Sequence, residues 1–170
     1  FGTVDKIAQQ SLLVPSKIRE CYLLQLLQND FKGKSMMIFV GKCKTAEMLR
    51  FWLRECGVEV AALHSQLAQA DRTAALARFK SGQLPILVST DVGSRGLDIP
   101  SVQVVLNYDV PSDARDYVHR IGRTGRAGRS GLALTLMTER DVELVQNIES
   151  KIEKQLQEYE EPVEDKVLTL

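Results

Sequence analysis

Net charge is the first thing missing. In 170 residues, 22 Lys and Arg stand against 22 Asp and Glu, a formal net charge of +0. This excludes a chain that grips polyanions by an overall basic field, so any such contact must come from a local patch. Cysteine is scarce and odd in number. Cys21, Cys43 and Cys56 show neither C-x-x-C nor Cys/His spacing, which argues against a metal site and a disulfide framework and leaves reduced core thiols as the reading. No apolar run reaches the roughly 20 residues that cross a bilayer, and the amino terminus carries no signal-peptide pattern. A soluble, intracellular, non-secreted protein with no membrane partner is expected, a monomer by default. No internal repeat is present. What remains is 44% apolar and 26% charged residues, the makings of one globular domain with a proper core.

Short apolar runs alternate with amphipathic stretches, the pattern of a parallel sheet covered by helices on both faces. Strands are predicted at Met36 to Val40, Val58 to Leu63, Pro85 to Thr90, Val102 to Asn107 and Leu132 to Leu136, with an edge strand near Ser11 to Val14. Their near-continuous apolar character marks burial on both sides. One helix is expected from Ser16 to about Gln28. Another runs from about Thr45 to Cys56, where Leu49, Trp52, Leu53 and Cys56 share a core face. A third spans about Ala70 to Lys80 and stops at Ser81-Gly82; a fourth follows Ser112, a good N-cap. Thr138 is read as the cap of the last, whose Val145, Ile148, Ile152 and Leu156 form a stripe that suits packing on the sheet better than binding a partner helix. From about Glu160 the sequence turns acidic and loses periodicity, as a frayed tail or linker does.

Charge is unevenly spread. Arg115, Arg120, Arg123, Arg126 and Arg129 cluster, and His119-Arg120-Ile121-Gly122-Arg123-Thr124-Gly125-Arg126 runs three arginines at three-residue intervals off a helix end. A guanidinium meets phosphate oxygens two at a time and keeps its charge at any working pH, so this spacing reads as a phosphate clamp. The plainer alternative is a solvated basic helix end favoured by the macrodipole. Gly122, Gly125 and Gly128 favour the clamp, since they let the backbone approach a ligand where the charges gather.

Ligands of a parallel sheet collect beyond the carboxyl ends of its strands. Thr90-Asp91-Val92-Gly93-Ser94-Arg95-Gly96-Leu97-Asp98 follows the strand ending at Ser89 and so falls there. Thr90 and the Gly93 and Gly96 neighbourhood suit phosphates, and Asp98 suits ribose hydroxyls. For Asp91 the favoured reading is a cap on a one-turn helix. Arg72 at the next helix start suits a nucleic-acid backbone or a surface ion pair equally. Gly41-Lys42-Cys43-Lys44 is a short basic loop of low specificity.

These segments resemble, in order and spacing, the carboxyl-terminal half of DEAD-box RNA helicases. The resemblance runs from about Gln9 to Gln157 and rests most on Ser89 to Pro100 and on Tyr117 to Gly128. It implies a RecA-like three-layer α/β sandwich with a mostly parallel central sheet over residues 1–159, then an acidic tail or linker over 160–170. It also implies a partner RecA-like domain on the amino-terminal side, ATP as the nucleotide, RNA as the polymer, and local duplex unwinding. Carried over by position, Arg123 and Arg126 would reach the ATP phosphates, Arg126 as the arginine finger. Asp98 would hold the ribose beside Gly96, and His119 would bridge to the partner domain. Thr90, Gly93, Gln69, Arg72, Gly41, Lys42 and Lys44 would line the RNA. Two positions depart. Gly41-Lys42 stands where the family usually has Asn or Ser followed by Thr, which replaces a side-chain contact by charge, and Ser65 replaces a common glycine. The string Ala62-Leu63-His64-Ser65, with Arg72 to Lys80 after it, is similar to a ribosome-assembly subgroup, which implies the nucleus and nucleolus, with a protein cofactor left unidentified.

The chain has no G-x-x-x-x-G-K-S/T loop and no Asp-Glu-Ala-Asp stretch, so Mg²⁺ and the bulk of ATP would fall to the partner domain and this chain alone is expected to be inactive. Two other classes stay open. One is a docking module that uses its arginines electrostatically; the other is a related DNA translocase.

Overall fold

The computed structural model describes residues 6–160. All seven strands are parallel: β1 (Ile7–Leu13), β2 (Met36–Phe39), β3 (Val60–Leu63), β4 (Ile86–Ser89), β5 (Val104–Asn107), β6 (Gly131–Met137) and β7 (Gln157–Glu158), in the sheet order β3-β4-β2-β5-β6-β1-β7. Every residue of β2, β4 and β5 is buried. That is what continuous apolar strands in a sheet covered on both faces require.

Alternate residues divide the core. Met36, Ile38 and Val40 pack with α1 (Arg19–Gln25) and α2 (Cys43–Glu55) on one face, through Leu23, Leu49 and Leu53. Met37 and Phe39 face Ala75 and Phe79 of α3 (Gln69–Lys80) on the other. The single turn α4 (Asp91–Ser94) follows β4 directly. Beside this body, Ile7 and Ala133 pack under Tyr117 and Ile121 of α5 (Ala114–Ile121) and Ile148 and Ile152 of α6 (Val142–Ile152). This is the RecA-like three-layer arrangement expected from the sequence. The shared face of Leu49, Trp52, Leu53 and Cys56 is core as read.

Several boundaries differ for physical reasons. β1 is longer than expected and is not an edge: it lies between β6 and the two-residue β7, a strand the sequence pattern does not predict. Its partly polar composition hides it, because Gln9, although polar, is buried as the acceptor of the Tyr117 hydroxyl at 2.8 Å. The helix expected from Ser16 begins as a 3₁₀ turn (Ser16–Ile18) and ends as a wide turn (Leu26–Asp30), where the Phe31 amide reaches back to the Leu26 carbonyl at 2.8 Å. That widening keeps Leu26, Leu27 and Phe31 all buried. Asp113, not Ser112, caps α5, accepting from the Asp116 amide at 2.8 Å. Thr138 builds the turn before α6 by donating to Asp141 rather than capping the helix itself. Leu156 is buried but beyond the helix, which stops where Glu153 turns left-handed at φ 55°. Beyond Glu160, the expected acidic tail lies outside the described residues.

Parallel strands end on one side, and there the loops after β3 and β4 press together. A Cβ on Gly93 would stand 2.3 Å from the Leu63 carbonyl oxygen and 2.7 Å from the His64 Cα, both backbone. Glycine is therefore demanded by close approach, not by φ. Gly93→Ala is expected to cost about 1–3 kcal/mol by overpacking, read as a lower guanidinium unfolding midpoint; an unchanged midpoint would mean that the two loops separate freely.

Candidate functional site

Three segments expected to meet a polymer backbone do come together at the carboxyl ends of the adjacent strands β3, β4 and β2. Thr90 caps α4: its hydroxyl accepts from the Gly93 amide at 3.0 Å, and its own amide donates to the Leu63 carbonyl at 3.1 Å. The Arg72 guanidinium donates to the Gly93 carbonyl at 3.1 Å, while its Nε is buried with no hydrogen-bond partner among the described residues. Gln69 is exposed one turn earlier on α3. In the loop after β2, the Gly41 amide donates to Asp109 at 2.8 Å and Lys42 is exposed; the expected basic loop ends there, because Cys43 and the exposed Lys44 already belong to the first turn of α2. Thr90 and Gly93 are themselves buried, so the exposed donors of this side include Lys42, Lys44 and Gln69, with the half-buried Arg72 behind them.

The other flank of α4 meets the arginines, and here one expectation needs correcting. Arg120 is not part of a phosphate clamp. It is 2% exposed and makes a two-pronged pair with Asp91, Nε to Oδ1 at 2.7 Å and Nη2 to Oδ2 at 3.0 Å. Its Nη1 donates to the Asp109 carbonyl at 2.6 Å and to Asn107 Oδ1 at 3.3 Å, over the Phe39 ring. Asp91 is correspondingly a counter-ion, and the cap of the one-turn helix is Thr90. Spacing holds the clue. Ala114, Tyr117 and Ile121 are the buried face of α5, and Arg120 shares that face three residues after Tyr117.

Arg123 and Arg126 differ from Arg120 in resting on backbone carbonyls alone. Arg123 donates to the carbonyls of Ser94 and Leu97 at 3.0 and 3.1 Å, and Arg126 to those of Ile99 and Gly122 at 2.9 and 3.1 Å. Each guanidinium keeps further N–H donors beyond these. Burial, and then the nearby charge of Arg126, push the Arg123 guanidinium below its ordinary pKa. Two partly buried cations that repel one another make a place where an anion is favoured. Both line a cleft of about 750 Å³, together with Ser94, Arg95, Gly96 and His119. That volume lies within the roughly 300–1,000 Å³ of small-molecule sites. Asp98 does not line the cleft; it is exposed on the turn between Leu97 and Ile99. No group of three or more metal-ligating side chains occurs among the described residues.

A family model described as the helicase conserved C-terminal domain matches residues 18–128. The chain belongs to this family, in its DEAD-box branch. Among relatives, it is 50% identical to a DEAD-box ATP-dependent RNA helicase of Arabidopsis thaliana over 163 residues, 95% of this chain and 33% of that protein. With an ATP-dependent rRNA helicase of Coccidioides immitis it shares 47% identity over 159 residues, 94% of this chain and 33% of the relative. Among solved structures, Saccharomyces cerevisiae Dbp5 bound to RNA and ADP BeF3 superposes with a TM-score of 0.84 at 31% identity, over 98% of this chain and 44% of that one. This helicase domain thus spans about a third of the length of the curated relatives it matches.

The arginines of the helicase domain separate experimentally. Arg120→Ala leaves Asp91 and two buried acceptors unpaired and is expected to cost about 3–5 kcal/mol. Arg126→Ala gives up two hydrogen bonds at the rim, for about 1 kcal/mol. Denaturant unfolding of the two variants checks this; equal losses would contradict the division into a structural and a cleft arginine.

Proposed function

We propose that this domain is the carboxyl-terminal half of an RNA-dependent ATPase that opens short RNA duplexes. The observation that carries the reading is the place of the Asp91–Ile99 segment. One flank takes Arg72 on the Gly93 carbonyl, and the other is held by Arg120, Arg123 and Arg126 at the wall of the cleft. A polymer on the first flank and a nucleotide in the second would touch the same short segment.

In this reading ATP and RNA are each held across an interface with an amino-terminal RecA-like domain, which supplies the phosphate loop and the Mg²⁺ ligands. The residues here fit an anionic nucleotide: the cleft has room, and Arg123 and Arg126 offer unspent donors with mutually repelling charges. Closure would bring Arg126 to the γ-phosphate and Arg123 to its neighbours, stabilising charge that spreads over the transferred phosphoryl oxygens. His119, exposed on the cleft rim, would bridge to the partner domain. Asp98, outside the cleft wall, would come to the ribose with closure. RNA would be held by its phosphates and 2′-hydroxyls through Lys42, Lys44, Gln69 and Arg72, with the Thr90 turn behind, which positions a strand without reading its bases. The likeness to an rRNA helicase supports a role in ribosome assembly, and with it a nucleolar location. A protein cofactor would act on closure, and the working unit would be a monomer.

Steady-state ATP hydrolysis tests this, using the domain alone and joined to its amino-terminal half, with and without single-stranded RNA or DNA. The domain alone should be inactive and the joined form stimulated by RNA in preference to DNA. In the joined form Arg126→Ala should lower turnover by about 10³-fold or more with the fold intact. Retained turnover would favour a docking role, and equal stimulation by DNA a translocase.

A further inference from the structure

His64 follows directly on β3, is 3% exposed, and takes no part in the contacts assigned above. Its Nδ1 accepts from the Gln66 amide at 3.2 Å, and its Nε2 lies 2.8 Å from Glu47 Oε1. A ring nitrogen that accepts from an amide carries no proton, so the neutral ring holds its proton on Nε2 and donates it to Glu47. Glu47 also accepts from Arg50 Nε at 2.8 Å. The His64 bond, against burial and with help from Arg50, keeps the Glu47 carboxyl below the ordinary glutamate range.

The placement of this pair gives it a consequence. Glu47 stands on α2 one turn beyond Lys44, so it is rigidly tied to the loop after β2. His64 opens the loop that leads to Gln69 and Arg72. A weaker contact, Cys43 Sγ to Ser65 Oγ at 3.6 Å, joins the same two loops at their rim. The backbone of His64 is also the surface against which Gly93, and with it the Thr90 turn, is packed. The imidazole therefore joins two of these segments, and the third packs against the backbone of the same residue.

We propose that His64, acting through Glu47, is a positioning residue that sets the spacing between the start of α2, with Lys42 and Lys44, and the helix start carrying Gln69 and Arg72. Successive phosphates of one strand then meet both at once. The proposal rests on the RNA-binding reading above. Its physical basis is that two cationic loops gain from one polymer together only if their separation matches its repeat, and that repelling loops hold such a separation only when braced.

The test uses the full-length protein carrying His64→Ala, His64→Gln, Glu47→Ala, or His64→Ala with Glu47→Ala. Four quantities are read: the RNA concentration for half-maximal ATPase stimulation, turnover at saturating RNA, affinity for a fluorescent ADP without RNA, and melting temperature. His64→Ala and Glu47→Ala should each raise the half-maximal RNA concentration about tenfold, the equivalent of one lost charge-assisted hydrogen bond. Turnover at saturating RNA and ADP affinity should stay put, and the double variant should lose no more than either single one. A glutamine side chain keeps an N–H that can donate to Glu47, so His64→Gln should recover most of the loss. If His64→Ala folds poorly, Glu47→Ala carries the same expectation from a half-exposed helix position. An unmoved half-maximal concentration in both, or a parallel loss of ADP affinity that glutamine does not restore, overturns the proposal. A wild-type enzyme indifferent to RNA would overturn the underlying RNA reading as well, and only that outcome appears in the unmutated protein.

Discussion

Arg120 carries a full positive charge to a place where 2% of its surface meets water, and four elements are arranged to neutralise it. The carboxylate comes from α4, an amide oxygen from the end of β5, a carbonyl from the turn after it, and an aromatic face from β2. A charge buried without partners would be prohibitive, and two parallel bonds to Asp91 fix direction as well as distance. The neutralising groups lie on segments that have no other reason to agree on position. Once they do, the carboxyl ends of β2, β4 and β5 are locked to α5. Around that anchor His119, on α5, and Arg123 and Arg126, beyond its end, reach one cleft.

Arginines of the same sequence spacing thus differ in use because of helix geometry. Residues 120, 123 and 126 leave α5 as it ends at Ile121, so only the first is carried on the buried face of a complete helix. Arg123 and Arg126 follow the helix end, where Gly125 takes a left-handed φ of 67° and Thr124 ties the turn to the Val102 carbonyl. Their guanidiniums rest on carbonyls of the Ser94–Ile99 stretch. These neutral acceptors hold them in place but do not discharge them. A carboxylate in the same position would have saturated the charge and left nothing for a phosphate. Arg123 and Arg126 keep their charge toward the cleft because they are paired with dipoles, whereas Arg120 is paired with an ion.

Much of this is legible in the sequence, and the limits have causes. Central strands such as Met36–Phe39 and Ile86–Ser89 announce themselves by apolar continuity, since both faces are covered. β1 is only half legible, because the residue that keeps it in the sheet is a glutamine satisfied by a tyrosine 108 residues away. β7 leaves no trace: two exposed residues held by a neighbouring strand, with Tyr159 fastened to Asp30, have no periodicity to detect. In the site, motif spacing locates the residues on both flanks of α4 but not their division of labour. Asp91 and Arg120 lie 29 positions apart, and nothing local distinguishes a counter-ion from a cap; for Arg120 the one local signal is its helical spacing from Tyr117 on the buried face. The pairing of His64 with Glu47 is hidden for the same reason, since it exists only when α2 and β3 are placed side by side.

The departure at Gly41-Lys42 becomes intelligible at this level. A Cβ at position 41 would meet only Asp109, at 3.7 Å, which is ordinary contact. Packing therefore does not demand glycine there, and the residue is not a steric necessity of the fold. What the loop retains is its amide, spent on Asp109 at 2.8 Å, the same carboxylate that holds Arg19 at 2.9 Å. The backbone at 41 is thus moored to the residue beside the Arg120 network, while Lys42 stands exposed next to it. Replacing a directional polar side chain by an ammonium on a flexible stem exchanges geometric recognition for charge. If this surface holds a strand by its phosphates, as proposed, that exchange would preserve binding provided the loop itself is firmly placed. In the proposed reading, the rigidity that a hydrogen-bonding side chain would have drawn from its ligand would be supplied from below, by Asp109 and by the imidazole–carboxylate pair of His64 and Glu47.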